Sequence, residues 1–599
     1  MSEKRSSEQR RKKKRNTDSH LLSTAFPLPT MPRILSYVIL TGGFLTTLSL
    51  SAHIPSQVIL DNKPTKYTNK DVSNLFRPDH ELEEWIGYER MFSLHQILDN
   101  IGPDGANATG AAPGCILASP SKHAPDYFYQ WVRDGAITIS SLLDQWEFGR
   151  WKKEDEEKIL DTWLQMFLNY VDMQGRLQTV QNPSGGFFDG GLGEPKFRVD
   201  GTAFARYVVT RARSNELFVI VRHNTSCNKG FLRMQGGRYS TLGYGKLTLC
   251  DLSDFYRNWG RPQRDGPALR ASALASFLRK AKQTRPEILQ NVDFLRRLYD
   301  DRLPARSIIK ADLEYVSHSW HAYGFDAWEE VNGLHFFTAM VQLKAMADGA
   351  DIATHFNDRG AAAWYSKQQK SLSDFVWKFW DSKKGHLVST LDIKHRTGLN
   401  CDLLLGSLHG DRISFPPWSD ELLVSMDRLI AQMAVLHPNK TPSKDGKRKG
   451  VGIGRYTEDI YDGAGFNGGN AWFICTASVA HVLYASISEF IEKQTLAITD
   501  RNFEFFHSIN PQLERKHQIL YADSDYLFNA TMQWMFEFGD SFLEVVKAHA
   551  TPQGRLAEQF DTKTGKQHGA EDLTWSYGSF LSAVEERDRA KKLLFGKRA

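Results

Sequence analysis

Three carboxylates crowd into five residues at Asp326-Ala-Trp-Glu-Glu330, with an indole among them and Val331-Asn-Gly333 following. On a helix, Asp326, Glu329 and Glu330 would fall at i, i+3 and i+4 on one face, where like charges repel. Crowding beside apolar surface pushes at least one pKa upward, and a carboxylic acid still protonated near neutral pH can serve as a general acid. Taken alone, the triplet reads better as the acidic first turn of a helix, because charge clusters usually mark solvated faces. Other segments reverse that preference. Tyr127-Phe-Tyr-Gln-Trp-Val-Arg-Asp134, Trp259-Gly-Arg-Pro-Gln-Arg-Asp-Gly-Pro267, Arg455-Tyr-Thr-Glu-Asp459, Ala557-Glu-Gln-Phe560 and Asp572-Leu-Thr-Trp-Ser-Tyr577 each set aromatics beside acids, arginines or amides.

The segments between these motifs must position them, and they read as helices. Glu154–Val171 carries Ile159, Leu160, Trp163, Leu164, Phe167 and Val171 at helical spacing and is expected to halt near Gly175. Similar patterns cover Leu269–Lys282, Ile308–Ser319, Phe336–Ala347, Ala361–Trp380, Trp472–Ile491, Tyr526–Ala548 and Asp572–Arg587. Most are too long for strands, and period-2 alternation is scarce. Helix pairs that return the polar-aromatic loops to one rim describe an all-α toroid with a pocket at one end.

Composition excludes several classes. The formal charge of +5 is concentrated in Arg10-Arg-Lys-Lys-Lys-Arg15, so acids and bases nearly balance elsewhere and no nucleic-acid partner is expected. Fifteen Trp and twenty Tyr suit stacking on sugar rings and equally suit a large core. The apolar run Ile34–Leu50 follows the basic stretch and reads as a signal-anchor from Met1 or as a cleavable signal from Met31. Both readings deliver the body to the secretory lumen, as a secreted or vacuolar protein or as one held by a single-pass membrane anchor. The sequons at Asn107, Asn439 and Asn529 permit glycosylation there. Cys115, Cys227, Cys250, Cys401 and Cys475 have no CxxC spacing, so no zinc or other metal site is expected, and an odd count leaves at least one thiol unpaired within the chain.

With these motifs in order, the chain resembles the fungal glucoamylases of glycoside hydrolase family 15, from about Asp126 to Arg587. The resemblance implies an (α/α)6 barrel, a toroid of six helix pairs that needs no cofactor, and exo-acting, inverting hydrolysis of an α-glucan by a monomer. In its terms Trp328-Glu-Glu-Val-Asn-Gly333 is similar to the catalytic-acid segment, with Glu329 as general acid, Glu330 as a substrate contact and Asp326 as a further active-site acid. Ala557-Glu-Gln-Phe560 resembles the segment of the general base, Glu558, which with only Asp561 near it in sequence is expected to stay ionised. Arg133 and Asp134 match the pair that binds the terminal glucose, and Arg455 matches another sugar-binding arginine. Trp259 and Trp575 match pocket-wall indoles, and Tyr127 a ring-stacking residue.

Composition and the resemblance together divide the chain into a leader or anchor expected at 1–52, a polar linker at 53–80 and a catalytic domain at 81–599, without the starch-binding domain of some relatives. Rival readings are another (α/α)6 glycosidase such as a trehalase, or a glucan-binding protein disabled by an insertion. That insertion, Tyr207–Arg257, separates Gly193–Phe204 from the Trp259 motif, and deleting it restores the family spacing. It reads as a translated intron or as a surface loop. For an intron, sequencing the transcripts should recover messages that join Arg206 to Asn258; a message that keeps the segment at full abundance overturns that reading.

Overall fold

The computed structural model describes residues 82–596, apart from 147–152, 205, 212–216, 223–226, 236–237, 242–259, 439–447 and 523–525. The leader and linker expected at 1–80 lie outside the described residues. So do Trp259, Asn439 and the side chains of the insertion. All described residues belong to the unit His53–Ala599.

Twelve helices form two concentric rings. In chain order they are α1 (Leu82–Asp99), α2 (Val132–Gln145), α3 (Lys153–Thr179), α4 (Asp265–Thr284), α5 (Ile308–Ser319), α6 (Phe336–His355), α7 (Arg359–Val376), α8 (Asp402–His409), α9 (Asp420–Leu436), α10 (Phe473–Lys493), α11 (Tyr526–His549) and α12 (Thr574–Phe595). The even-numbered helices make the inner ring, each packing on the next, and α12 closes the circle on α2. The odd-numbered helices lie outside them: α1 against α12, α5 and α7 against α6, α9 against α8 and α11 against α10. This is the expected six-fold toroid.

Sequence explains which helix goes where. The outer helix α7 has one apolar stripe, with Ala361, Tyr365, Leu372 and Val376 buried and lysines on the other faces. The inner helix α10 is apolar all round and long enough to cross a membrane, yet almost all of it is buried inside the fold. The rings are also pinned by charge. Arg270 of α4 forks onto Asp312 of α5 at 2.7 and 2.6 Å, and both side chains are sealed from solvent. A disulfide, Cys401–Cys475, ties the residue before α8 to the first turn of α10, and Cys115 remains a buried thiol.

The periodicity placed α4, α5, α7, α10 and α11 within four residues, ended α3, α6 and α12 eight residues early, and missed α1, α2, α8 and α9. Gly175 does not end α3, which continues to Thr179; a Cβ at Gly175 would lie 3.0 Å from Ile308 of α5, so the glycine permits a close approach there. Two-residue ladders at the rim escaped a reading based on alternation. Gln130–Trp131 pairs with Lys196–Phe197, and Gly324–Phe325 pairs with Asn332–Gly333. Ala471–Trp472 pairs with Gln559–Phe560, which also pairs with Gln567–His568. The insertion contributes a four-stranded antiparallel meander from Arg206–Arg211 to Arg238–Thr241. The sequon Asn107 turns inward, its amide donating to Asn100 at 2.9 Å.

Candidate active site

The inner helices all begin at the same rim, and the motif loops lead directly into them. Arg133 and Asp134 occupy the first turn of α2, Asp265 opens α4, and Trp575 lies in the first turn of α12. Between them lies a cavity of about 290 Å³ lined by Tyr127, Arg133, Asp134, Glu329, Glu330, Arg455, Glu558 and Trp575, among others. Residues spread over 450 positions of chain thus meet at one place.

Asp326–Val331 is a hairpin turn rather than a helix. Asp326 Oδ1 accepts the backbone N–H of Glu330 at 2.7 Å and of Val331 at 2.9 Å, and Asp326 N–H donates to the Val331 carbonyl at 3.0 Å. Glu329 is forced to φ 64°, a left-handed conformation that costs a long side chain roughly 1–3 kcal/mol. The turn sends the three carboxylates apart. Asp326, grouped above with the active-site acids, is buried behind the loop and does not itself line the cavity. Burial raises its pKa, while His335 and the two amides pull it down. Glu330 pairs with Arg455 at 2.8 Å and with Arg396 at 3.3 Å. Glu329 alone is left facing the cavity with uncharged donors: its Oε1 accepts Trp131 Nε1–H at 2.6 Å and Gln263 Nε2–H at 3.0 Å.

Gln263 and Asp265 also hold Arg133, whose Nη1 donates 2.7 Å bonds to both. Arg133 Nε lies 3.7 Å from Asp134 and has no hydrogen-bond partner among the described residues. Burial pushes Asp134 up to about 6, against the Arg133 charge and with help from Glu329 and Asp265. Arg455 forks onto Asp459 with two 2.7 Å bonds and lies among Trp328, Tyr461 and Trp472, each ring within 5.5 Å. Trp328 itself is fixed by its N–H on Asn400 at 3.1 Å.

Glu558 stands on the opposite motif, between Ala557 and the ladder that starts at Gln559. It is 1% exposed yet lines the cavity. Tyr127 donates its hydroxyl to Oε1 at 2.9 Å, and the Tyr461 hydroxyl lies 3.5 Å from Oε2. The expectation that Glu558 stays readily ionised changes here. Burial pushes it up to about 7, with Tyr127, Arg455 and Tyr461 pulling in the opposite direction. Sequence neighbours could not reveal this, because burial outweighs the single nearby acid. Tyr127 is more than a stacking ring: its ring lies 5.3 Å from that of Trp131 and its hydroxyl serves Glu558.

Trp131, Gln263, Asp265, Tyr461 and Trp472 were not singled out in the sequence. Three of them lie inside the motifs quoted above, and an amide wedged between Pro262 and Arg264 was the available signal. Among the described residues no group of His, Cys, Asp or Glu is arranged to hold a metal ion.

Comparison with known proteins agrees with this geometry. The model of glycosyl hydrolases family 15 matches residues 92–206 and 223–585, broken where the insertion begins. A probable glucoamylase of Schizosaccharomyces pombe is 31% identical over 85% of this chain and 93% of its own. A glucoamylase of Saccharomycopsis fibuligera is 31% identical over 92% and 99%. Among solved structures, a family 15 glucoamylase from Hypocrea jecorina superposes with a TM-score of 0.67 at 29% identity, covering 85% of this chain and 72% of that one. The chain belongs to glycosyl hydrolase family 15, and the resemblance to fungal glucoamylases is borne out.

Gly569 makes the room that Glu558 needs. At φ +74°, a Cβ there would lie 2.0 Å from Glu558 Oε2. Gly569→Ala should cut kcat by about 100-fold through displacement of that carboxylate. Gly565→Ala, at φ +76° with open space around it, should leave kcat nearly unchanged. Equal losses in the two variants, measured on maltotriose, would remove Gly569 from this role.

Proposed function

We propose that the protein releases single glucose units from the non-reducing ends of α-1,4-linked glucans, and more slowly from α-1,6 linkages, by direct attack of water with inversion. One observation carries the reading: Glu329 and Glu558, more than two hundred positions apart, line one cavity. Breaking a glycosidic bond needs an acid for the departing oxygen and an ionised carboxylate to activate water on the other face, held roughly 6.5–9.5 Å apart in inverting enzymes. Glu329 is the acid. Its Oε1 is taken by two N–H donors, so Oε2 carries the proton to the leaving oxygen. Glu558 is the base, and the hydroxyl of Tyr127 favours its ionised form.

Arg133, Asp134, Glu330, Arg455 and the indole of Trp575 hold the terminal glucose, and Trp259 matches a further pocket-wall indole by family resemblance. A cavity at the small end of ligand pockets suits a chain end better than a chain interior. The Saccharomycopsis fibuligera and Schizosaccharomyces pombe relatives, named as glucoamylases, support the substrate class. The disulfide Cys401–Cys475 supports folding in the oxidising secretory pathway. We place the protein there as a monomer, secreted, vacuolar or anchored, with the insertion outside the catalytic module.

Glu329→Gln should lower kcat by about 100- to 10,000-fold while maltotriose still binds. The wild-type protein should liberate β-glucose first from maltodextrin and nothing from trehalose. Polarimetry that finds α-glucose as the first product would rule out inversion. The pH profile tests Glu558. As a base it must lose its proton, so kcat/KM falls as pH drops through its pKa. Tyr127→Phe removes a hydrogen bond from the ionised form, and the acidic limb of kcat/KM should move up by roughly one pH unit. An unmoved or lowered limb would contradict the assignment.

A further inference from the structure

A second cavity, of about 680 Å³, lies between the last turns of α3, the short helix Val292–Leu298 and the connection that enters α5. It shares no lining residue with the catalytic cavity. Five arginines face it: Arg176, Arg296, Arg297, Arg302 and Arg306. Only two acids accompany them. Asp172 takes Arg297, and Asp300 takes Arg302 through two bonds. At Arg176, Arg296 and Arg306 no ion pair forms among the described residues. Arg176 rests on the Met173 sulfur, Arg306 lies 5.2 Å from the ring of Phe188, and Arg296 acts on Asp300 only through its field.

All five arginines are exposed, so water weakens their mutual repulsion, yet like charges gathered around one concavity still work against folding. The rings do not need it: α5 is already secured by the Arg270–Asp312 fork and by Gln178, whose amide donates to the Ile308 carbonyl at 2.9 Å. The first residues of α5 add to the same field. Ser307 caps no first-turn N–H, because its hydroxyl instead accepts the Asp300 amide at 2.9 Å, and Ser307 and Ile308 form part of the cavity wall. Guanidinium groups without carboxylates present planar donors matched to phosphate oxygens.

We propose that this cavity is a second binding site, for a ligand carrying at least two phosphate charges. The neutral sugar chain of the catalytic site has no use for three uncompensated arginines. A phosphate ester borne on a glucan and a free polyphosphate share the chemistry that would be recognised.

The test is calorimetric titration of the full chain with tripolyphosphate at near-physiological salt, in parallel with phosphorylated maltodextrin and the same dextrin after phosphatase treatment. The dextrin arms use the Glu329→Gln protein to prevent digestion. Saturable binding is expected, weakened about ten-fold or more by R296Q/R306Q, which removes two charged hydrogen-bond donors. Both arginines are exposed, and glucose release from maltotriose by this double variant should equal wild type. Preference for the phosphorylated over the dephosphorylated dextrin would make the source a glucan ester; equal dextrin binding with retained tripolyphosphate binding would make it a free anion. Absence of saturable tripolyphosphate binding together with equal binding of the two dextrins, or phosphate-dependent binding that R296Q/R306Q leaves unaltered, overturns the proposal.

Discussion

Everything in the catalytic cavity depends on how the chain keeps three neighbouring carboxylates from acting as one charge cluster. A helix would have stacked Asp326, Glu329 and Glu330 on a shared face. The hairpin turn gives each a different fate. Asp326 is spent on backbone amides, which close the turn, and Glu330 is neutralised by Arg455 and Arg396. Glu329 is left on a left-handed residue with an indole and an amide for company. The strain at Glu329 is therefore local, and the two short hydrogen bonds of Asp326 offset it.

The opposite carboxylate solves a different problem. Glu558 is almost sealed, so its ionised form loses hydration and must be compensated by neighbours. The compensation is modest: one tyrosine hydroxyl at 2.9 Å, a second at 3.5 Å and the field of Arg455. A group balanced in this way sits near neutrality, where it can both lose and regain a proton. The two acids are thus differentiated by surroundings, since as residues they are identical. Gly569 completes the arrangement by leaving the space that the Glu558 carboxylate fills.

The toroid supplies the rigidity that these environments demand. Inner helices start at one rim, and two-residue ladders clamp the loops just before those starts: at Trp131, on both arms of the Glu329 turn, and next to Glu558. The Cys401–Cys475 bridge works in the same zone, since the Cys401 N–H donates to the Arg455 carbonyl at 2.7 Å. A pocket built on loops keeps its geometry here because these ladders clamp the loops next to the inner-ring helix starts.

The helices were legible because apolar periodicity is a local property: α5 was bounded to the residue, and α10 and α11 to within two. The two-residue ladders were not, since two residues cannot display alternation and their partners lie up to a hundred positions away. The motifs marked Glu329, Glu330, Arg133, Asp134, Arg455, Glu558, Tyr127 and Trp575, all of which line the cavity. By itself, then, the sequence determined the chemical kinds present, the helical class and the family. Tertiary structure alone decided that Asp326 holds a turn, that Gln263 and Trp131 serve Glu329, and that Glu558 rises toward neutral pH. Those outcomes depend on burial and on partners distant in the chain, and neither quantity is a function of sequence spacing.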